Sequence, residues 1–596
     1  MQIIKKLLYL LSPKERKNVF LLMGMISLMA LLEMIGVASI MPFISVLINP
    51  EIIETNSTLK KIFEISINIG VKTEQQFLFI LGICVFMLLV ISIIFKALTS
   101  YLQLRFTNMR EYTIGKRLVE GYLHQPYIWF LSRHSADIGK SILSEVGFII
   151  GHGLTPMMEL AAKSFVAIAF IILLVLIDPN IALIAGLTVG SAYLVIYKFT
   201  RHFLNRIGAE RVTANELRFT AVSEAFGASK EVKLGGLEES FIKRFAKPAQ
   251  TYARHVSSSA VISQIPRFAL EAIVFGGMLL VILYLMTQRG SFVDALPIMA
   301  LYAFAGYRLM PALQGIYVAI TQLRFIGPAL ETLYNDLKSL KPYTASNKKA
   351  LITLNKNIIL KNIHFDYPNA SRTALKNICL NIDANTTVGL VGTTGSGKTT
   401  TVDIILGLLE AKRGTLEIDG RVIDEKNRRD WQRSIGYVPQ NIYLSDDTVS
   451  ANIAFGVEHK DIDQKAVVRA SKIANLHEFV TNELPLQYQT TIGERGARLS
   501  GGQRQRIGIA RALYHNPRVL ILDEATSALD NLTEKAVMEE VYNLSNDITI
   551  ILIAHRLSTV KKCDKIFILE NGEVQNTGTF EELLKINKNF GFNANN

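Results

Sequence analysis

The stretch VGLVGTTGSGKTT, residues 388–400, decides how the second half of the chain is read. A short apolar run, strand-like in character, breaks at Gly392 into a loop of glycine, threonine and serine. Lys398, Thr399 and Thr400 then open a helix. The spacing from Gly392 to Gly397-Lys398-Thr399 is that of a phosphate-binding loop. A strand that breaks into such a loop gathers backbone N–H groups at a helix N-terminus, where anions are favoured. Gly392, Thr393, Thr394, Gly395, Ser396 and Gly397 form the cradle and Thr400 closes it. Lys398 brings a positive charge to the phosphates, and the Thr399 hydroxyl is the natural ligand for Mg²⁺.

Two further stretches complete this chemistry. VLILDEATSALD, residues 519–530, is an apolar strand ending in two acids. Asp523 is expected to hold Mg²⁺ through water, and Glu524 to polarise the attacking water. Solvated acids at a strand end are the competing reading, disfavoured once the phosphate loop is present. LSGGQRQR, residues 499–506, sets Ser500, Gly501, Gly502 and Gln503 at the start of a helix, where a hydroxyl and amides suit a second γ-phosphate contact.

This last segment resembles the signature of the ATP-binding cassette (ABC) superfamily, and other elements of that pattern occur elsewhere in the chain. Tyr367 in HFDYPN resembles the aromatic residue that stacks on adenine. Gln440 in GYVPQN resembles the glutamine that senses Mg²⁺ and faces the membrane domain. TIGERG, residues 491–496, resembles the X-loop of exporters, and Ser527 to Asp530 resembles the D-loop. His555 in LIAHRLST resembles the switch histidine that contacts the γ-phosphate. The resemblance implies ATP and Mg²⁺ as cofactors and an active ATPase, with Glu524, His555 and Gln440 as its catalytic set. Within that fold a signature cannot reach the phosphate loop of its own chain, so a homodimer is expected.

Upstream, the composition changes character. Of the 596 residues 49% are hydrophobic, and these crowd into the first 325 positions. The formal charge of +13 fits nucleic acid or a bilayer with anionic lipids equally. The apolar content turns the reading to the bilayer, and no nucleic-acid partner is expected. Cys84, Cys379 and Cys563 lie far apart without metal-like spacing and read as reduced thiols. The N-terminus MQIIKKLLYLLSPKERK lacks a small-residue cleavage site and reads as an interfacial amphipathic helix.

Six apolar runs are long enough to cross about 30 Å of hydrocarbon. They lie near residues 19–43, 77–98, 156–177, 181–197, 268–286 and 295–319. Basic residues before the first run, after the second and after the fourth place those segments and both termini in the cytoplasm. The intracellular stretches read as continuations of the membrane helices that turn back at residues 124–139 and 224–236, each turn carrying a short cross-helix. The outer segment STLKKIFEISI fits helix and strand periods about equally, with a short surface helix as the expectation. A polar linker over 336–353 separates a membrane domain, 1–335, from the cassette, 354–590. The expected fold is an α-helical membrane domain of six long transmembrane helices, the type I ABC exporter fold, followed by an α/β P-loop ATP-binding cassette. The resemblance to exporters implies a bacterial inner membrane.

Within the apolar segments stand Lys96, Arg267 and Arg308, at depths where a cation must face water or an anion. They form the candidate substrate site. The competing reading is structural: Arg267 pairs with Glu271, Glu33 neutralises Arg308, Glu159 pairs with Lys163, and Lys96 snorkels to the interface. The stretches IMPFI, PRFALEA and YRLMPAL resemble the bacterial flippases of lipid-linked oligosaccharides. That resemblance implies a polyprenyl-pyrophosphate oligosaccharide as cargo in glycan assembly. Exporters of lipid A-like lipids, peptides or drugs are the alternative.

Overall fold

The computed structural model describes residues 2–586 except 49, 68–70, 72, 178, 290–291, 341–350, 369, 371, 527 and 555–556. Some side chains inside helices, chiefly between 181 and 192 and between 269 and 303, also lie outside the description. The chain divides into two units: residues 1–125 with 133–343, and residues 126–132 with 344–596.

The first unit is helical. Helix α1 (Gln2–Leu10) buries Leu7 and Leu10. Ser12 then caps α2 (Pro13–Ala38) in a capping box with Glu15, with Pro13 at the first helical position. After α3 (Ile40–Ile48), the outer segment forms α4 (Ser57–Ile67), so the helical expectation for STLKKIFEISI holds. Helix α5 (Glu74–Leu123) has 50 residues, about 75 Å at 1.5 Å per residue, far more than a bilayer needs. Between the short helix Ser135–Lys140 and α7 (Thr155–Ile177), which follows α6 of the second unit, two π-helical turns interrupt the α-helix, Ser141–Glu145 and Ile150–Leu154. A buried polar cluster ties this stretch to α8 (Pro179–Gly227). Arg211, fully buried, donates to both carboxylate oxygens of Glu145, and Asn215 Nδ2 donates to Oε1 of the same residue. The guanidinium also stacks 4.0 Å from the Phe148 ring centroid, while its Nε finds no hydrogen-bond partner among the described residues. The expected second cross-helix is α9 (Ser229–Gly235), ended by left-handed Gly236. Helices α10 (Glu238–Arg289), α11 (Phe292–Phe325) and α12 (Gly327–Ser339) complete the unit.

The count of membrane-crossing helices corrects the expectation of six. Among the described residues three helical stretches are long and apolar enough to cross: Pro13–Ile48, Glu74–Leu123 and Ser135–Ile177. A fourth is reached if Phe304–Phe325 and Gly327–Ser339, bent by 55° at their junction, count as one broken span. The apolar runs at 181–197 and 268–286 are segments of α8 and α10, whose other parts are polar, and their side chains lie in part outside the described residues. Counting apolar windows in sequence treats each as a span, whereas the described residues support three, up to four, by length and composition.

The second unit is α/β. It includes α6 (Tyr127–Leu131), the first expected cross-helix, whose Ile128 packs on the unit's core. An antiparallel sheet in the order β2-β1-β4-β5 contains β1 (Asn357–Phe365), β2 (Leu375–Asp383), β4 (Arg413–Ile418) and β5 (Arg421–Val422). A six-stranded sheet runs β10-β9-β3-β8-β7-β6, with only the β10–β9 pair antiparallel. Its strands are β3 (Thr387–Val391), β6 (Ile435–Val438), β7 (Val519–Asp523), β8 (Thr549–Ile553), β9 (Lys565–Glu570) and β10 (Glu573–Gly578). Every residue of β7 and β8 is buried, as expected for parallel strands covered on both faces. The strand period of two then feeds two cores. Leu520, Leu522, Ile550 and Leu552 enter one, while Val519, Ile521, Ile551 and Ile553 enter the other.

Candidate functional site

The phosphate loop joins β3 to helix α13 (Lys398–Ile405), as its sequence requires. Gly397 stands at the helix N-cap with φ of 102°, a left-handed value open to glycine at little cost, and a Cβ there would lie 2.7 Å from Leu375 Cδ2. Gly392 has no room either: a Cβ would meet the Leu569 carbonyl oxygen at 2.2 Å. At the far end of α13, Trp431 Nε1 donates to the Ile405 carbonyl at 2.7 Å and Gln432 Nε2 to that of Leu406 at 3.0 Å, satisfying orphan carbonyls. Both ends of the helix are thereby fixed.

Lys398 is buried, and its Nζ donates to the carbonyls of Gly392 at 2.7 Å and Thr393 at 3.0 Å. Burial lowers its pKa, an effect opposed by Glu524 and Asp523. The Ser396 hydroxyl is buried within the loop with no hydrogen-bond partner among the described residues. Thr399 is exposed at the helix start, where a metal ligand must be. An orphaned donor inside a loop at a helix N-terminus, beside a lysine and a carboxylate, fits a Mg²⁺-bound triphosphate.

The acids come from β7. Asp523 ends the strand, buried, and accepts from Tyr437 Oη at 3.4 Å. Glu524 follows with φ of 51°, left-handed for a non-glycine residue. Such strain survives where surroundings enforce it, often at functional sites. Gln440 Nε2 donates to Glu524 Oε2 at 2.8 Å, so parallel pairing of β6 with β7 unites residues 84 positions apart. Tyr367 Oη lies 3.1 Å from Thr400 Oγ1, with its ring edge-on to Phe365, which brings the expected adenine platform beside the loop.

Two members of this site escaped the sequence reading. Asp403, on α13, is buried, and burial together with the nearby Asp523 raises its pKa to about 6. Tyr437 faces the same acids, and burial first, then those acids, pushes its phenol upward. The available signals were an acid on an otherwise apolar helix five residues after Lys398, and a tyrosine three residues before Gln440.

Ser500 caps α14 (Gly501–Leu513) in a capping box: the Ser500 amide donates to Gln503 Oε1 at 2.8 Å and the Gln503 amide to Ser500 Oγ at 3.2 Å. Gly501 and Gly502 lie against Ala528 and Leu529 of the expected D-loop. Helix α14 packs in the core containing Leu520 and Leu522, whereas α13 packs in the opposite one. The signature helix and the phosphate-loop helix therefore lie on opposite faces of the sheet. His555 and Ser527 lie outside the described residues.

In the helical unit, Lys96 and Arg308 line one cavity of about 350 Å³ with Glu33, Glu159, Lys163 and Tyr307. Glu33 Oε1 serves both cations, at 2.5 Å from Lys96 Nζ and 3.6 Å from Arg308 Nη1. Arg267 is elsewhere: it pairs with Glu271 at 2.9 Å, is half exposed and is not among the cavity's lining residues. The structure thus brings together two of the three candidate cations, and each of the three has an acidic neighbour. Among the described lining residues, three bases (Lys96, Lys163 and Arg308) stand against two acids (Glu33 and Glu159), a surplus of one positive charge.

Comparison with known proteins agrees with both halves. The family model "ABC transporter" matches residues 375–527, and "ABC transporter transmembrane region" matches residues 23–307. The chain is 30% identical over 499 residues to the "ATP-dependent lipid A-core flippase" of Cupriavidus metallidurans, covering 82% of each protein. It is 32% identical over 481 residues to the protein of that name from Syntrophus aciditrophicus, covering 79% of this chain and 78% of the relative. The solved structure of a bacterial Atm1-family ABC exporter with ATP bound superposes with a TM-score of 0.78 over 97% of each chain at 21% identity, a likeness of fold. The protein is an ATPase that uses ATP with Mg²⁺. It resides in the inner membrane as a multi-pass protein with its nucleotide-binding domain facing the cytoplasm. With one membrane region and one ATP-hydrolysing cassette in a single polypeptide, the chain belongs to the ABC transporter family as a half-transporter.

Proposed function

We propose that the protein drives a phosphorylated amphiphilic lipid of the lipid A type across the membrane at the expense of ATP. The observation that carries this reading is similarity, over about four-fifths of the chain, to proteins named lipid A-core flippases. The cavity supports it: a guanidinium and an ammonium, with one positive charge in surplus, suit a phosphate monoester or diester. A polyprenyl-pyrophosphate oligosaccharide offers the same phosphate chemistry and is the second reading, supported by Arg308 and Lys96. It loses force because Arg267, the third cation it called for, pairs with Glu271 outside the cavity lining.

In the cassette, bound ATP supplies a transferable γ-phosphoryl group and Mg²⁺ offsets its charge. Lys398, Ser396 and the amides from Gly392 to Thr400 would hold the phosphates, Thr399 and Asp523 would hold the metal, and Tyr367 would stack on the base. Glu524 Oε2, steadied by Gln440, would take the proton of the attacking water, and His555 is assigned the γ-phosphate contact by its resemblance to the switch histidine alone. Because α13 and α14 pack on opposite faces of the sheet, the signature residues Ser500 to Gln503 serve a second copy, in a homodimer. Native mass measurement in detergent is expected to give two chains per particle. Full turnover by single chains contradicts the shared site.

The test is lipid stimulation of ATPase in nanodiscs. Lipid A is expected to raise wild-type turnover several-fold over phosphatidylcholine alone, and Arg308→Ala to lose most of that ratio. A response confined to a polyprenyl-pyrophosphate oligosaccharide selects the second reading. An equal response to neutral lipid contradicts both.

A further inference from the structure

The chain crosses between its two units three times: after Gln125, after Ser132 and after Tyr343. One side chain of the helical unit, itself on the helix that leads to the third crossing, touches the roots of the other two. Asp336, in the last turn of α12, accepts from Tyr122 Oη at 3.1 Å through Oδ2 and from Arg133 Nη1 at 3.0 Å through Oδ1. Tyr122 stands three residues before the first crossing, Arg133 directly follows the second, and Asp336 itself precedes the third by seven residues. This corner of the helical unit is close-packed. A Cβ on Gly121 would meet Leu340 Cδ1 at 2.6 Å, and Gln125 Nε2 returns to the Gly121 carbonyl at 2.8 Å. Helix α12 is also anchored on α1, through Lys6 to Glu331 and an edge-on Tyr9–Tyr334 contact at 4.9 Å.

We propose that Asp336 is a coupling clamp, a positioning residue that makes the three crossings move as one body when the cassette turns over ATP. A single carboxylate with two acceptor atoms is suited to this. Each oxygen grips a different arm, and the fixed angle of the carboxylate sets the arms' spacing. Arg133 is about one-third exposed, so its ion pair contributes modestly to stability. Losing the clamp should therefore loosen the transmission without unfolding the unit. The cassette then hydrolyses ATP while the cavity around Glu33, Lys96 and Arg308 no longer follows.

The experiment uses the full chain in nanodiscs with Cys84→Ser and Cys379→Ser, which removes both exposed native thiols, and a reporter thiol from Ser100→Cys in the cavity lining. The maleimide labelling rate is compared without nucleotide and after trapping with ATP and vanadate. In the reporter background the rate is expected to change at least threefold. With Asp336→Asn added, ATPase should stay within twofold of the reporter background while the nucleotide-dependent change in labelling disappears. Tyr122→Phe, which removes one arm and keeps the ring, should give an intermediate change. An unchanged labelling response in Asp336→Asn overturns the clamp, as does loss of ATPase in parallel with it, which marks a stability role. A reporter rate indifferent to nucleotide also overturns it, because the clamp would have nothing to transmit. Should Asp336→Asn fail to fold, a full labelling response in Tyr122→Phe decides against the proposal. None of these outcomes depends on which lipid is carried.

Discussion

Purified Glu524→Gln protein is expected to bind ATP with wild-type affinity and hydrolyse it roughly a thousandfold more slowly, within the range for loss of a general base. The substitution keeps the shape of the side chain and its contact with Gln440, since an amide carbonyl accepts from Gln440 Nε2 as a carboxylate oxygen does. It removes the proposed proton acceptor. The left-handed backbone at Glu524 is set by the end of β7, so glutamine inherits the same placement. A thousandfold corresponds to about 4 kcal/mol of transition-state stabilisation, too much for one altered neutral hydrogen bond. Single-turnover phosphate release with pre-bound ATP reads the chemical step directly. Turnover within tenfold of wild type assigns the base elsewhere.

Lys398→Ala acts on the other side of that divide, on binding. The ammonium is buried against two loop carbonyls, at the centre of the curve from Gly392 to Gly397. On the proposed role, two charge-assisted contacts to phosphate oxygens would contribute together about 3 kcal/mol, so ATP affinity should fall roughly a hundredfold. The loss has a second source, because the Gly392 and Thr393 carbonyls lose their donor and the loop can relax away from its binding shape. Equilibrium binding of a fluorescent ATP analogue measures it. A dissociation constant within threefold of wild type removes Lys398 from the phosphate site. Together the two variants separate holding the nucleotide from cleaving it.

What the sequence made legible follows the range of the forces involved. The phosphate loop, its strand and its helix are contiguous, and backbone geometry alone demands glycine at 397, so thirteen residues sufficed. The cross-helices at Tyr127–Leu131 and Ser229–Gly235 were visible as breaks in long helical runs. The Gln440–Glu524 contact was approached only through family resemblance, because it depends on which strands become neighbours. Asp403 and Tyr437 stayed hidden for the same reason. In the membrane half, the Arg267–Glu271 pair was readable from a four-residue helical spacing. Glu33 was anticipated beside Arg308, but its closer contact with Lys96 depends on how α2 packs against α5. The count of spans departs from six because the apolar runs at 181–197 and 268–286 sit inside long helices whose side chains lie in part outside the described residues.

On the proposed function, ATP turnover at this cassette moves a phosphorylated lipid between leaflets. The most direct test is a proteoliposome assay with dye-labelled lipid A, reading the fraction of dye reached by an external quencher. Mg²⁺-ATP should shift that fraction progressively in vesicles whose cassettes face outward, and Glu524→Gln vesicles should show no shift. An unchanged fraction in wild-type vesicles that are hydrolysing ATP would contradict the account.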